Sequence, residues 1–143
     1  MKELVGKWKL QHEKTDNFED YLKAVGISFA FRKMGKAVVP VEEFKQDDDE
    51  NWSLCISVSI AHTTLKFKFG EEFHETTMDG RKCKTTFTIS DDGHLIQYQK
   101  SVHANIPDTR ITRKKVDETT VTQIYEAVGT NVKSVRKFIR QEA

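Results

Sequence analysis

Residues two apart share their character along most of this chain. Leu54, Ile56, Val58 and Ile60 fall on one side of an extended segment, and Ser53, Cys55, Ser57 and Ser59 fall on the other. Residues 64–69 are apolar and basic by turns. A period of two predicts strands with one face in the core and one in water. Trp8 and Leu10 open a first strand of the same kind. Turn-forming residues recur between these runs, at 47–51, 70, 79–80, 91–93, 105–108, 117–118 and 129–131, which is the spacing of an all-β domain. The two prolines, Pro40 and Pro107, lie outside the strand cores, where a missing N–H does not interrupt a ladder.

One segment follows another period. Phe18, Tyr21, Leu22 and Val25 lie at i, i+3, i+4 and i+7, which lines up one apolar face of a helix. Asp16 followed by Glu19 reads as a capping box, and Gly26 suits the C-terminal end of that helix. A second short helix is predicted over residues 28–34, stopped by Gly35. The order is therefore one strand, a helical hairpin and about nine further strands, in a single domain over residues 1–143 without repeat or linker. So many antiparallel strands in so small a domain favour closure into a barrel, because closure removes unpaired edges. A closed barrel of about eight or more strands is wide enough to hold a small ligand. The hairpin, which cannot be threaded into the sheet, is expected to cover one mouth.

Composition and charge narrow the function. With 37% hydrophobic residues, 143 residues suffice for a real core. Lys+Arg (23) nearly balances Asp+Glu (22), and a net charge of +1 gives no drive toward nucleic acid or a bulk anionic surface. The N-terminus lacks the apolar run of a signal peptide, and nothing approaches the ~18 apolar residues of a membrane span. Cys55 and Cys83 are too few for a disulfide framework, and the chain reads as cytoplasmic with reduced thiols. His12, His62, His74, His94 and His103 are scattered without metal-ligand spacing. Residues 47–50 lack the glycine and closing glutamate of a calcium loop, and no phosphate loop or nucleophile elbow is present. No metal, cofactor or catalytic residue is expected.

Several segments match a known family: Gly6-Lys7-Trp8-Lys9-Leu10, Asn17-Phe18-Glu19-Asp20-Tyr21-Leu22-Lys23-Ala24-Val25-Gly26, Phe31-Arg32-Lys33, Phe67-Lys68-Phe69-Gly70-Glu71-Glu72-Phe73 and Thr77-Met78-Asp79-Gly80-Arg81-Lys82. In this order, over essentially the whole chain, they resemble the intracellular fatty-acid-binding proteins. The resemblance implies an all-β fold, a ten-stranded antiparallel up-and-down β-barrel (clam) with a helix-turn-helix lid and an internal ligand cavity. It implies a non-enzymatic, monomeric carrier of a long-chain fatty acid or similar hydrophobic carboxylate. There are departures. The gap between Trp8 and Phe18 is about two residues longer than usual, and the turns at 47–51, 101–108 and 129–135 are extended, which loops absorb easily. The family's C-terminal Arg-x-Tyr anchor reads Arg136-x-Phe138, so a hydroxyl whose bond to a charged group contributes roughly 1.5–3 kcal/mol is missing.

At strand spacing Arg136 and Phe138 point to one side. The resemblance makes Arg136 and Arg113 a clamp on the carboxylate, one arginine direct and one through water; Ile111 shares the face of Arg113. Two arginines in an apolar interior are costly unless an anion joins them. Phe138 sits beside them as a ligand contact or as plain core. If Gly129 matches the glycine before the family's last strand, Tyr125 projects into the cavity and supplies the missing hydroxyl. Gln97 and Gln99 share a face, and one of them, Gln99 first, is expected to hydrogen-bond the head group, surface placement being the alternative. Trp8 is expected to plug the closed end. Phe18, Tyr21, Leu22, Val25 and Phe29 are expected to line the portal while packing the hairpin on the barrel, and by resemblance Ile60 and Met78 complete it. Asp79 and Arg81 read as an internal polar pair or as surface turn residues.

Lys23, Arg32, Lys33 and Lys36 make the lid basic. By resemblance such residues touch anionic membrane transiently or form a folded nuclear-import signal; a solvated helix face is the simpler reading. Retinoid and acyl-CoA cargoes remain open. A membrane-interacting structural module is disfavoured by the net charge. An enzyme acting on the enclosed lipid would need a cavity base with a displaced pKa, and the sequence offers none.

Overall fold

Ten strands follow one another in chain order around a single antiparallel sheet. The computed structural model describes residues 1–141, the side chains of residues 12–16 and 36 excepted. A short 3-10 turn, Lys2–Leu4, leads into β1 (Gly6–Asp16), followed by α1 (Phe18–Ala24) and α2 (Phe29–Ala37). The remaining strands are β2 (Val41–Gln46), β3 (Trp52–Val58), β4 (Ala61–Phe67), β5 (Phe73–Thr76), β6 (Lys82–Ile89), β7 (Leu95–Ser101), β8 (Thr109–Lys115), β9 (Thr120–Ala127) and β10 (Lys133–Gln141). Their order in the sheet is β4-β3-β2-β1-β10-β9-β8-β7-β6-β5. Strand alternation becomes burial directly: Val121, Gln123, Tyr125 and Ala127 are buried on β9, and Ser134, Arg136 and Phe138 on β10.

Closure is incomplete, which corrects the expectation that no edge is left unpaired. β4 and β5 end the sheet and share no ladder. Side chains carry it across instead. Phe67 of β4 stacks on Phe87 of β6 at 4.0 Å between ring centroids, and Phe73 of β5 stacks on the same ring at 6.2 Å. Phe69 turns its edge to Phe67 at 5.8 Å. Stacked and edge-on pairs each add about 0.5–1.5 kcal/mol beyond their burial.

The core has two parts. The larger fills the closed end, around Trp8, Leu10, Phe44, Leu54, Phe87 and Phe138. Trp8 plugs it: its indole Nε1 donates to the Leu4 carbonyl at 2.8 Å, and the Arg140 guanidinium lies 4.1 Å above its ring. The smaller part lies under the helices, where Tyr21, Leu22, Val25 and Ile27 meet Ile111, Tyr125 and Ala127.

The caps differ from expectation. Asn17, not Asp16, is the N-cap of α1; it sits at φ 58 and makes no side-chain cap bond. Asp16 ends β1, and its side chain lies outside the described residues. At the other end the Gly26 N–H donates to the Lys23 carbonyl and the Ile27 N–H to the Leu22 carbonyl, a pairing that needs the positive φ of 84° which glycine adopts at no steric cost. Gly35 does not stop α2 but lies inside it. A Cβ there would come within 3.1 Å of Leu22 Cδ1 and 3.8 Å of a Phe18 ring carbon. Its helix cost of about 1 kcal/mol is offset by the close approach of α2 to α1 that it permits.

Candidate functional site

Arg113 on β8, Gln123 on β9 and Arg136 on β10 stand opposite one another in the ladders and form one row across three neighbouring strands. Strands lie about 4.8 Å apart, so the two arginine Cα atoms are roughly 10 Å apart, with the glutamine between them. All three side chains are buried.

The two arginines are not equivalent. Arg113 is already neutralised: its Nε and one terminal nitrogen donate to the two oxygens of Glu42 at 3.1 and 3.4 Å. Its other terminal nitrogen donates to Gln97 Oε1 at 2.8 Å. Glu42 also accepts from Gln123 Nε2 at 2.6 Å. The expected two-arginine clamp is therefore corrected. An acidic residue from β2 occupies the position the sequence reading reserved for a ligand's carboxylate at Arg113.

Arg136 has aromatic neighbours instead. Its guanidinium carbon lies 3.8 Å from the centroid of the Phe18 ring, 5.7 Å from Tyr125 and 5.8 Å from Phe138. Its Nε is buried without a hydrogen-bond partner, and no described carboxylate pairs with it. A desolvated cation–π contact contributes about 2 kcal/mol, against several kcal/mol for taking the ion out of water. The described groups leave it under-compensated.

Tyr125 projects inward and lines the cavity beside Arg136. Its hydroxyl donates to Gln123 Oε1, and burial pushes its pKa up, with Arg136 opposing. Phe138, by contrast, is fully buried in the main core and is not part of the cavity wall. Its expected place in the head-group site is corrected to a packing role.

A second polar cluster in the same cavity adjoins the first through Gln97, whose Oε1 accepts from Arg113 while its Nε2 donates to Glu75. Glu75 Oε1 accepts from Thr85 Oγ1 at 2.7 Å, Gln97 Nε2 at 3.2 Å and Gln99 Nε2 at 3.1 Å. Gln99, expected at the head group, serves Glu75 instead. The cavity holding both clusters measures about 350 Å³, within the range of ligand sites. Ile56 and Val58, inward on β3, make much of its apolar wall, and Ile60 follows at the rim.

The mouth is tied by polar bonds. Arg81 Nε donates to Asp79 Oδ1 at 3.0 Å, and Arg81 reaches Thr109 Oγ1 at 3.1 Å and the Tyr21 hydroxyl at 3.5 Å. Thr77 donates to Asp79. The Tyr21 hydroxyl donates to Thr109 Oγ1 at 3.1 Å. Burial pushes the Tyr21 pKa up to about 12, with Arg81 opposing. α1 is thereby fastened to β8 and to the β5–β6 turn.

Phe18, Tyr21, Leu22, Ile60 and Met78 line the cavity. Ile60 is 89% exposed at the rim. Two expected portal residues do not line it. Val25 is sealed in the packing under the helices. Phe29 points outward, with Lys33 Nζ 4.9 Å from its ring centroid. Phe31 and Met34 take its place at the mouth. Among the described residues no His, Cys, Asp and Glu group could hold a metal ion. The Cys83 thiol, pushed up by burial, lies outside the cavity wall.

Glu42, Glu75 and Gln123 carry the site's polarity, and the sequence reading did not single them out. Each stands two residues from an inward aromatic ring, Phe44, Phe73 and Tyr125 respectively. That parity was the available signal.

The model of the lipocalin / cytosolic fatty-acid binding protein family matches residues 5–141. The sodium/calcium exchanger regulatory protein 1 of Doryteuthis pealeii is 41% identical over 136 residues, covering 88% of this chain and 97% of that protein. Fatty acid-binding protein homolog 5 of Caenorhabditis elegans is 38% identical over 139 residues, 97% of each chain. A solved Schistosoma mansoni fatty acid binding protein in complex with arachidonic acid superposes with a TM-score of 0.87 at 31% identity, covering 99% of this chain and 98% of that one. With a matching barrel, lid and internal cavity, this chain belongs to the lipocalin / cytosolic fatty-acid binding protein family.

Proposed function

We propose that the protein is a non-enzymatic intracellular carrier that encloses one long-chain fatty acid, its carboxylate on Arg136 and its tail along Ile56, Val58 and Ile60. The observation that carries this reading is Arg136, a buried cation on an apolar cavity with no carboxylate partner among the described residues. The complex of the Schistosoma relative with arachidonic acid supports it. Each methylene moved from water into the cavity contributes about 0.8 kcal/mol. Over an acyl chain this reaches the order of 10 kcal/mol before association costs. The carboxylate opposes burial; Arg136 offsets that and sets the orientation. Tyr125 places a hydroxyl beside Arg136, and it takes the role of the hydroxyl that Phe138 lacks by turning its proton from Gln123 to the carboxylate. No bond is made or broken.

Transfer is through the lid. Phe31, Met34, Ile60 and Met78 are exposed apolar groups around one mouth, and Lys23 and Lys33 are exposed on the two helices of the lid. This combination supports transient docking of a cytoplasmic monomer on an anionic membrane, and the same basic face suits nuclear import. The test is displacement of a fluorescent fatty acid by acids and by the matching alcohols, with mass spectrometry of lipids that copurify. Acids should win clearly. Equal competition by alcohols, or none by acids, would remove the carboxylate from the mechanism.

A further inference from the structure

Six charged side chains line the cavity: Arg81, Arg113, Arg136, Glu42, Glu75 and Asp79. Four of them cancel in pairs, Arg113 with Glu42 and Arg81 with Asp79. Two remain. One is Arg136, already assigned the ligand's carboxylate. The other is Glu75, 6% exposed and without a cationic partner among the described residues. Its three hydrogen bonds all end on Oε1, so Oε2 takes none of them. Next to it, Gln99 Oε1 is buried without a donor, while the amide nitrogen of the same side chain is held by Glu75. Both groups face the cavity. A buried acceptor left unpaired, as Gln99 Oε1 is, costs about 1–3 kcal/mol.

We infer that Glu75 and Gln99 form a second recognition point in the cavity, one that takes a hydroxyl carried along the acyl chain of the ligand. The preferred cargo is then a hydroxylated long-chain fatty acid: an acceptor end for Arg136 and a donor for Glu75. A hydroxyl suits the site better than an ammonium, because a neutral donor is far cheaper to take out of water than a cation. Thr85 and Gln97 hold Glu75 in place, since both donate to its bonded oxygen. Specificity follows from geometry. Arg136 and Glu75 are fixed on β10 and β5, so a hydroxyl reaches Oε2 from one stretch of the chain and not from others.

This rests on the fatty-acid reading, and one competition assay separates the two. A bound fluorescent fatty acid is displaced with stearic acid, with a series of monohydroxystearic acids whose hydroxyl is moved along the chain, and with stearyl alcohol. One position, or a narrow group of them, should bind about tenfold more tightly than stearic acid, the gain expected from a bond to a charged acceptor. In E75Q and E75M the hydroxy acids and stearic acid should compete alike. A preference that is absent at every position, or that survives both substitutions, overturns the hydroxyl site while leaving the fatty-acid carrier intact. Failure of every acid to displace the probe overturns the carrier and the hydroxyl site with it.

Discussion

Glu42 and Arg113 join two strands that are not neighbours in the sheet, across the inside of the barrel. Their side chains are 5% and 2% exposed, and the pair is bidentate. Gln123 on one oxygen of the glutamate and Gln97 on the guanidinium complete the network. The consequence is for charge rather than shape. A barrel with two inward arginines in one row offers a carboxylate only one of them.

Removing one partner of a buried pair leaves the other charged and alone, which costs about 3–5 kcal/mol. E42T should lose stability of that order in the ligand-free protein. The double variant with Leu for Glu42 and Met for Arg113 should lose much less, since apolar replacement of a whole pair is often neutral. E42T also releases Arg113 for a ligand. Oleate should therefore raise the urea midpoint of E42T more than that of the parent. Equal midpoints for E42T and parent without ligand would show that Arg113 is not left uncompensated when Glu42 is removed.

Arg136 predicts different outcomes for stability and binding. Among the described residues its burial is offset by rings and the Tyr125 hydroxyl but by no carboxylate, so R136M should leave the ligand-free protein about as stable as the parent. The same change should weaken fatty acids about tenfold or more, from the loss of a charge-assisted bond of roughly 1.5–3 kcal/mol. The matching alcohols should be affected far less. Thermal unfolding and acid-versus-alcohol competition read the two effects separately. A parallel loss for acids and alcohols would mean that Arg136 shapes the wall without reading charge.

Much of this was legible from period alone. The stripe of Phe18, Tyr21 and Leu22 marks the first helix of the lid, and the alternation of Ile56 and Val58 marks an inward strand face that turns out to line the cavity. Spacing puts Arg136 and Phe138 on one side, the resemblance puts that side inward, and both are buried. What stayed hidden has a common cause. Parity tells which way a side chain points, but not whom it meets on the far side of a barrel. Glu42 and Arg113 are 71 residues apart in the chain, and no local pattern joins them. Gly35 misled for a similar reason. A glycine near a helix end reads as a stop, and only the distance to Leu22 reveals a contact between helices.

Alkaline pH should loosen the lid. Burial raises the Tyr21 pKa from 10.0 to about 12, so the folded state keeps this proton where the unfolded chain has lost it. Stability from the neutral phenol is fully present below pH 10 and is lost as pH rises through about 12. The slope is about 1.4 kcal/mol per pH unit inside that window. Tyr125 is raised for the same reason and steepens the fall. Y21F lacks both the proton and the bond to Thr109. It should start about 1 kcal/mol below the parent near neutrality and overtake it inside that window as the pH climbs. Urea midpoints across this range decide the matter, and curves that stay parallel would separate Tyr21 from the alkaline transition.

Gly35 offers a handle on ligand exchange. Its φ lies outside the left-handed region, so alanine fits the backbone and gains about 1 kcal/mol of helix propensity. The new methyl meets only the tip of Leu22 at 3.1 Å, and a side-chain end can give by a few tenths of an ångström. G35A should therefore be near neutral in stability. Valine cannot be accommodated in that way, since its branches also reach toward Phe18 and push α2 away from α1. α2 carries Phe31 and Met34 at the cavity mouth, and the main core at the closed end is untouched. G35V should release a fluorescent fatty acid several-fold faster than the parent in stopped flow. Hydrogen exchange should quicken over residues 18–37 and stay slow in β9 and β10, because opening is local. Release at the parental rate, with α2 demonstrably displaced, would take the route of exchange away from the helical lid.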